Sequence, residues 1–120
     1  MALILVCEDH EVVRQLLVEL LAEMGLETVC ADNGEEGLSL ARVTHPDLVI
    51  SDIVMPKMSG TQLVDAIRRD PDLAAIPCVL MSSPDWEEEA LRAGCNSFIA
   101  KPFDVYHVRQ VVRSLLGWHD

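Results

Sequence analysis

Apolar and polar positions along this chain change in blocks. Leu3-Ile4-Leu5-Val6-Cys7 is an unbroken apolar run, the pattern of a strand covered on both faces. Behind it Val12, Val13, Leu16, Leu17, Leu20, Leu21 and Met24 recur at helical spacing, and Gly25 supplies the stop. The same unit repeats. A strand is predicted near Glu27 to Ala31, with a turn at Asn33-Gly34 and a helix to about Val43. A strand over Asp47 to Ser51 precedes a helix from Ser59 to Arg69, and a strand over Ile76 to Met81 precedes a helix from Asp85 to Ala93. A strand over Ser97 to Ala100 and a helix from Asp104 to about Leu116 complete the series.

Because every strand is followed by a helix, the connections favour right-handed crossovers and a parallel sheet with helices on both faces. The expected fold is therefore α/β, one domain over residues 1–120, with a five-stranded parallel sheet; by analogy with flavodoxin-like (βα)5 sheets, the strand order is taken as 2-1-3-4-5. Function in such sheets gathers at the carboxyl ends of the strands. Strand one ends in Glu8-Asp9, strand three in Asp52, strand four in Ser82-Ser83 and strand five in Lys101-Pro102. Strand two ends blandly, at Asp32-Asn33-Gly34. With strand one between strands two and three, three carboxylates, a hydroxyl and an ammonium converge.

Charge sharpens that picture. Nine basic and 20 acidic residues leave a net charge of −11 with a pI near 4.6, and half the residues are apolar. That apolar share fits a packed domain and excludes a disordered acidic tail. The negative charge, without a Lys/Arg cluster, argues against direct binding of nucleic acid. No apolar run reaches the length of a membrane span, and no basic segment precedes the first one, so a cytoplasmic protein is expected. Cys7, Cys30, Cys78 and Cys95 lack metal-type spacing and read as buried small hydrophobes.

Three carboxylates in one pocket repel unless cations intervene. A divalent metal together with Lys101 would balance them, and oxygen ligands suit Mg²⁺ with waters and phosphate oxygens completing its shell. Taken singly, each feature has a plainer reading: Glu8-Asp9 as a helix cap, Asp52 as a loop carboxylate, Ser82-Ser83 as a turn, Lys101 as a surface lysine. Their coincidence at the same ends of four strands favours a cradle for a phosphoryl group.

The runs Ile4-Leu5-Val6-Cys7-Glu8-Asp9, Pro46 to Pro56 with Gly60, Ile76 to Ser82, and Phe98-Ile99-Ala100-Lys101-Pro102-Phe103 resemble the motifs of response-regulator receiver domains of two-component signalling. In scale the chain is similar to the single-domain chemotaxis regulator. The resemblance implies Asp52 as phosphoacceptor, Glu8 and Asp9 with Asp52 as metal ligands, and Val54 as a ligand through its carbonyl. It further implies Ser82 as the switch hydroxyl, Lys101 as the phosphate-pairing cation and Phe98 as the switch aromatic. The implied cofactor is Mg²⁺, with Mn²⁺ able to substitute. The implied donor is a histidine kinase or histidine phosphotransfer protein, and the output goes to a downstream protein or a fused output domain. Such a domain catalyses its own phosphorylation and dephosphorylation without being an enzyme in the ordinary sense.

Rival readings meet specific obstacles. A phosphatase of the haloacid dehalogenase type wants a second acid two positions past the nucleophile, where this chain has Val54. A flavin carrier needs a phosphate loop after strand one, where Glu8 and Asp9 would repel the phosphate. A receiver-like module that is never phosphorylated is disfavoured by the intact acid, serine and lysine set. His10, His45, His107 and His119 are scattered, and His10 reads as a solvated residue of the first helical turn. Met55 and Met58 read as packing or docking surface, and Trp86 as a half-buried residue opening the fourth helix. Ser82 to Lys101 spans 19 positions, about three fewer than usual in the family, or roughly one helical turn, so a short fourth helix is expected. His107 and Val111 stand where one class of dimerising regulators has Glu and Arg, so a monomer, or a different dimer, is expected. The sequence fits a free-standing regulator and a domain of a longer chain equally.

Overall fold

The computed structural model describes residues 1–118. Five parallel strands, β1 (Leu3–Cys7), β2 (Glu27–Ala31), β3 (Leu48–Asp52), β4 (Cys78–Ser82) and β5 (Ser97–Ala100), form one sheet in the order β2-β1-β3-β4-β5. Between and after them run α1 (Glu11–Glu23), α2 (Gly34–Thr44), α3 (Gly60–Arg69), α4 (Glu87–Ala93) and α5 (Val105–Leu115). The expected fold and strand order are both present.

The three central strands are the continuous apolar runs because both of their faces are covered. Leu17, Leu20 and Leu21 of α1 and Val108 and Val112 of α5 pack on Ile4, Val6, Ile50 and Met81. On the opposite face α2, α3 and α4 pack Leu38, Leu63, Val64, Ile67 and Ala90 against Leu5, Cys7, Val49 and Leu80. Alternate residues of one strand thus serve two cores.

Several boundaries shift for identifiable reasons. β3 runs one residue later than expected, because Asp52 still pairs with Met81 in the ladder while Asp47 turns back to bond Leu3. β4 begins at Cys78 because Pro77 has no N–H to give a ladder. The expected fourth helix is a 3-10 turn over Pro84–Trp86 followed by α4, whose seven residues make it short, as the Ser82–Lys101 spacing implied. Ser59 and Asp104 are N-caps rather than helical residues, each accepting a backbone N–H.

Two burial expectations fail. Val12 and Leu16 are 81% and 44% exposed, because only the flank of α1 carrying Leu17, Leu20 and Leu21 meets the sheet. Cys30 is exposed, since β2 is an edge strand, whereas Cys7, Cys78 and Cys95 are buried. Burial pushes the Cys7 thiol up to about 12 and the Cys78 thiol to about 11, so both stay protonated and inert at neutral pH.

Arg68 ties the fold together below the site. Its guanidinium donates to the carbonyls of Gly94, Ala74 and Ile76 at 3.0, 3.0 and 2.7 Å and to Asn96 Oδ1 at 2.8 Å. Asn96 Oδ1 in turn accepts the Cys78 N–H at 2.8 Å. Arg68→Met should therefore strand carbonyls around the α3–β4 and α4–β5 connections and cost about 2–3 kcal/mol. Urea unfolding of the variant checks this, and a loss below about 0.5 kcal/mol would show that water replaces the clamp.

Candidate functional site

The carboxyl ends of β1, β3, β4 and β5 carry the polar residues the sequence placed there. Glu8 continues the β1 ladder, its N–H donating to the Ala31 carbonyl at 3.0 Å, and its side chain is fully buried. Asp52 ends β3 at 5% exposure, with Oδ1 accepting the Ile53 N–H at 2.9 Å. Ser82 ends β4 at 6% exposure, and its carbonyl accepts the Lys101 N–H at 2.8 Å. That bond sets the lysine at the mouth of the acid cluster. Lys101 Nζ lies 3.0 Å from Glu8 Oε2 and 3.4 Å from Asp52 Oδ2. Glu8 and Asp9 do not cap α1; the N-cap is His10, whose side chain makes no capping bond.

Gly60 brings the start of α3 against the Asp52 backbone, donating its N–H to the Ile53 carbonyl at 2.8 Å. Ser59 and Gln62 close a reciprocal capping box just beside it. Gly34, at the start of α2, bonds the Met58 carbonyl at 3.1 Å from the other side. The loop from Ile53 to Ser59 is therefore held at both flanks, and Asp52 is fixed by its neighbours' backbone.

Charge at the site is out of balance. Burial first, and then the adjacent Glu8, push the Asp52 carboxyl above its ordinary range; Lys101 and the Ile53 N–H pull the other way without cancelling them. With Glu8, Asp9 and Asp52 ionised, one ammonium leaves two negative charges uncompensated. Ligand atoms of Glu8, Asp9, His10 and Asp52 all lie within 4.8 Å of one another. The acidic cluster fits the divalent-cation site of a receiver domain: hard oxygen donors, close-set, with a charge deficit that one such ion would fill.

A pH dependence follows from Asp52. Its folded-state pKa lies above the unfolded value, so the folded domain holds the proton more tightly and loses stability as pH rises through the raised pKa. In chelator, the urea midpoint should fall as pH rises above the ordinary carboxylate range and the raised Asp52 carboxyl ionises. Asp52→Asn should remove that fall and be the more stable protein at neutral pH. A midpoint with the same pH dependence in both proteins would contradict the assignment.

The other predicted residues are placed as follows. Val54, two positions past Asp52, is 58% exposed at the rim. Phe98, in β5, is half-buried and packs on the α2–α3–α4 core. Met55 is buried, Met58 half-buried, and Trp86 half-buried beside a cleft of about 420 Å³ that Val54, Met55 and Gln62 also line. His107 is exposed and Val111 half-buried on α5; His119 lies outside the described residues. His10 departs from the sequence reading. It is the N-cap of α1, and its ring, though 70% exposed, folds back so that Nδ1 lies 3.2 Å from Glu8 Oε1 and 3.4 Å from Asp9 Oδ1. Adjacency to Asp9 was the available signal, and the plainer reading as a solvated first-turn residue outweighed it.

A doubly wound parallel sheet with an acid pair, a buried aspartate, a serine and a lysine at its switch point defines a class, and comparison with known proteins places the chain within it. Residues 4–113 match the response regulator receiver domain model, and the chain belongs to that family, which is regulatory. It is 33% identical over 117 residues to the polar-differentiation response regulator DivK of Brucella ovis, the match covering 95% of each chain. The signal receiver domain of a signal transduction histidine kinase from Syntrophus aciditrophicus superposes with a TM-score of 0.92 at 33% identity, covering 98% of this chain and 91% of that one. The chemotaxis response regulator CheY4 of Vibrio cholerae superposes with a TM-score of 0.88 at 28% identity, covering 96% and 98%. No helix among the described residues is long and apolar enough to cross a membrane.

Proposed function

We propose that this domain accepts a phosphoryl group on Asp52 from a phosphohistidine of a histidine kinase or histidine phosphotransfer protein in the cytoplasm, and that the acyl phosphate resets the surface around α4, β5 and α5. The observation that carries this reading is the buried Asp52 carboxylate 3.4 Å from Lys101 Nζ and beside the Glu8-Asp9 pair. An Asp52 oxygen forms a bond to phosphorus as the phosphorus–nitrogen bond breaks, and the bonding pair stays on the imidazole, which takes up a proton. Lys101, already aimed at Asp52, pairs with the negative phosphoryl oxygens as they arrive. Glu8, Asp9, Asp52 and the Val54 carbonyl would hold Mg²⁺, or Mn²⁺ in its place, which when bound neutralises charge on the transferring group. Ser82, at the neighbouring strand end, can donate its hydroxyl to the new phosphoryl oxygens. Movement of that segment leaves room for Phe98, already half-buried, to turn inward, which is the two-state change a downstream protein or fused output domain would read.

Acetyl phosphate is the direct test, with adducts followed by intact mass. Wild-type protein should gain one phosphoryl adduct in Mg²⁺ or Mn²⁺ and none in chelator, and Asp52→Ala should gain none. An adduct that persists in Asp52→Ala would overturn the assignment. Failure of folded wild-type protein to label with the cation bound would favour an interaction module that is never phosphorylated.

A further inference from the structure

We propose that His10 is an additional protein ligand of the divalent cation at this site, through Nδ1, and that it shifts the site's preference from Mg²⁺ toward ions that accept imidazole, such as Mn²⁺, Co²⁺ and Zn²⁺. The inference rests on the cation site of the preceding reading and assigns it a nitrogen donor.

Packing does not dictate the position of this ring. His10 is 70% exposed as a side chain, sits at an N-cap in extended conformation with φ −88° and ψ 114°, and leaves the capping role unused. An N-cap side chain ordinarily turns toward the first helical N–H groups. Here it turns the other way, over the strand end, and one nitrogen meets both acids. The separations of 3.2 Å to Glu8 Oε1 and 3.4 Å to Asp9 Oδ1 match neighbouring ligands on one ion, since bonds of about 2.1 Å at right angles set ligand atoms about 3.0 Å apart. The span of 4.8 Å that encloses the donors of Glu8, Asp9, His10 and Asp52 is also close to the distance across a single coordination sphere, about 4.2 Å on the same bond lengths.

Glu8 Oε2 accepts from Lys101, while Oε1 accepts the His10 N–H at 3.2 Å and faces His10 Nδ1, each carboxylate oxygen keeping a further lone pair for an ion. A neutral imidazole that binds through Nδ1 keeps its proton on Nε2, which on so exposed a ring water can satisfy. Imidazole binds Mn²⁺, Co²⁺ and Zn²⁺ far better than it binds Mg²⁺, which prefers oxygen and retains its waters. Three carboxylates and a histidine therefore form a mixed set on which the ions should rank by their affinity for nitrogen.

The competing account makes His10 an imidazolium paired with the acids, and it predicts the opposite effect. A cationic ring would compete with every metal ion, so its removal would tighten binding of all of them. The decisive experiment titrates wild type, His10→Ala and His10→Asn with Mg²⁺, Mn²⁺ and Co²⁺ by calorimetry, with the fold checked by circular dichroism. Both variants should lose at least about 10-fold in Mn²⁺ and Co²⁺ affinity and change little toward Mg²⁺. Electron spin echo of the Mn²⁺-bound protein should show nitrogen modulation in wild type that disappears in His10→Ala. Equal losses for all three ions, unchanged affinities, a general tightening, or absent nitrogen modulation would each overturn the proposal. Asp9→Ala is the control: wild type that binds no divalent cation, or binds it as well after Asp9→Ala, would instead refute the cation site itself.

Discussion

Gly60→Ala should destabilise the domain by about 3 kcal/mol, the upper part of the range for forcing a methyl group into a filled space, and should disable phosphoryl uptake at Asp52. A Cβ at Gly60 would run into the Asp52 carbonyl oxygen and stand 3.0 Å from the Asp52 carbonyl carbon and from Ile53 Cα. All three obstacles are backbone and have no rotamer to escape into. Either α3 backs away, breaking the Gly60–Ile53 hydrogen bond and the capping box, or the end of β3 moves and takes the Asp52 carboxylate off Lys101. Gly25→Ala makes an informative control. Gly25 has φ +80° with nothing within 4 Å of an added Cβ, so its substitution should cost only the left-handed backbone penalty, about 1 kcal/mol, and leave labelling by acetyl phosphate intact. Urea unfolding and adduct mass on the two variants separate close contact from backbone conformation. Equal losses for both would show that the loop yields to the extra methyl.

The second large effect concerns the lifetime of the phosphorylated state. Hydrolysis needs a water lined up on the acyl phosphate, and in the family the residues two past the phosphoacceptor and two past the switch hydroxyl flank that approach. With Asp52 as the proposed phosphoacceptor and Ser82 as the proposed switch hydroxyl, these positions are Val54, 58% exposed at the rim, and Pro84, which opens the 3-10 turn. Neither side chain can orient water by a hydrogen bond, and Pro84 fixes its own φ and restricts Ser83. Autodephosphorylation should therefore be slow. Val54→Asn combined with Pro84→Glu should accelerate it by about 10- to 100-fold, since positioned proton-transfer groups commonly contribute on the order of 10²-fold or more. Decay of radiolabelled phosphoprotein after removal of the donor measures this directly. A wild-type lifetime of seconds, or no acceleration in the double variant, would show that something other than water positioning limits hydrolysis.

The site was legible because its parts are short, local motifs attached to readable strands. β1, β3 and β4 are apolar at nearly every position because two helical layers cover them, so their ends, and hence Glu8, Asp52 and Ser82, could be counted directly along the chain. β5 is less buried, with Phe98 half-exposed and Ala100 exposed, yet the same count of strand ends reaches Lys101. The alternation of elements and the handedness of crossovers imply a parallel sheet with helices on both faces, whereas the 2-1-3-4-5 order rested on a flavodoxin-like analogy.

Local sequence was thus sufficient for the element order and for the residues that end each strand, since these depend on period, length and chain direction. Only the tertiary structure decided which side of α1 faces the sheet, leaving Val12 and Leu16 outside, and that Cys30 lies exposed on an edge strand while Cys7 is sealed inside. It also decided that Arg68 closes two connections at once. The direction of the His10 ring belongs with these. The physical reason is common to all of them: a side chain's surroundings are set by partners distant in sequence. The clearest case is Lys101, which sits 93 positions from the Glu8 carboxylate it neutralises and meets it only because the sheet places β1 and β5 around β3.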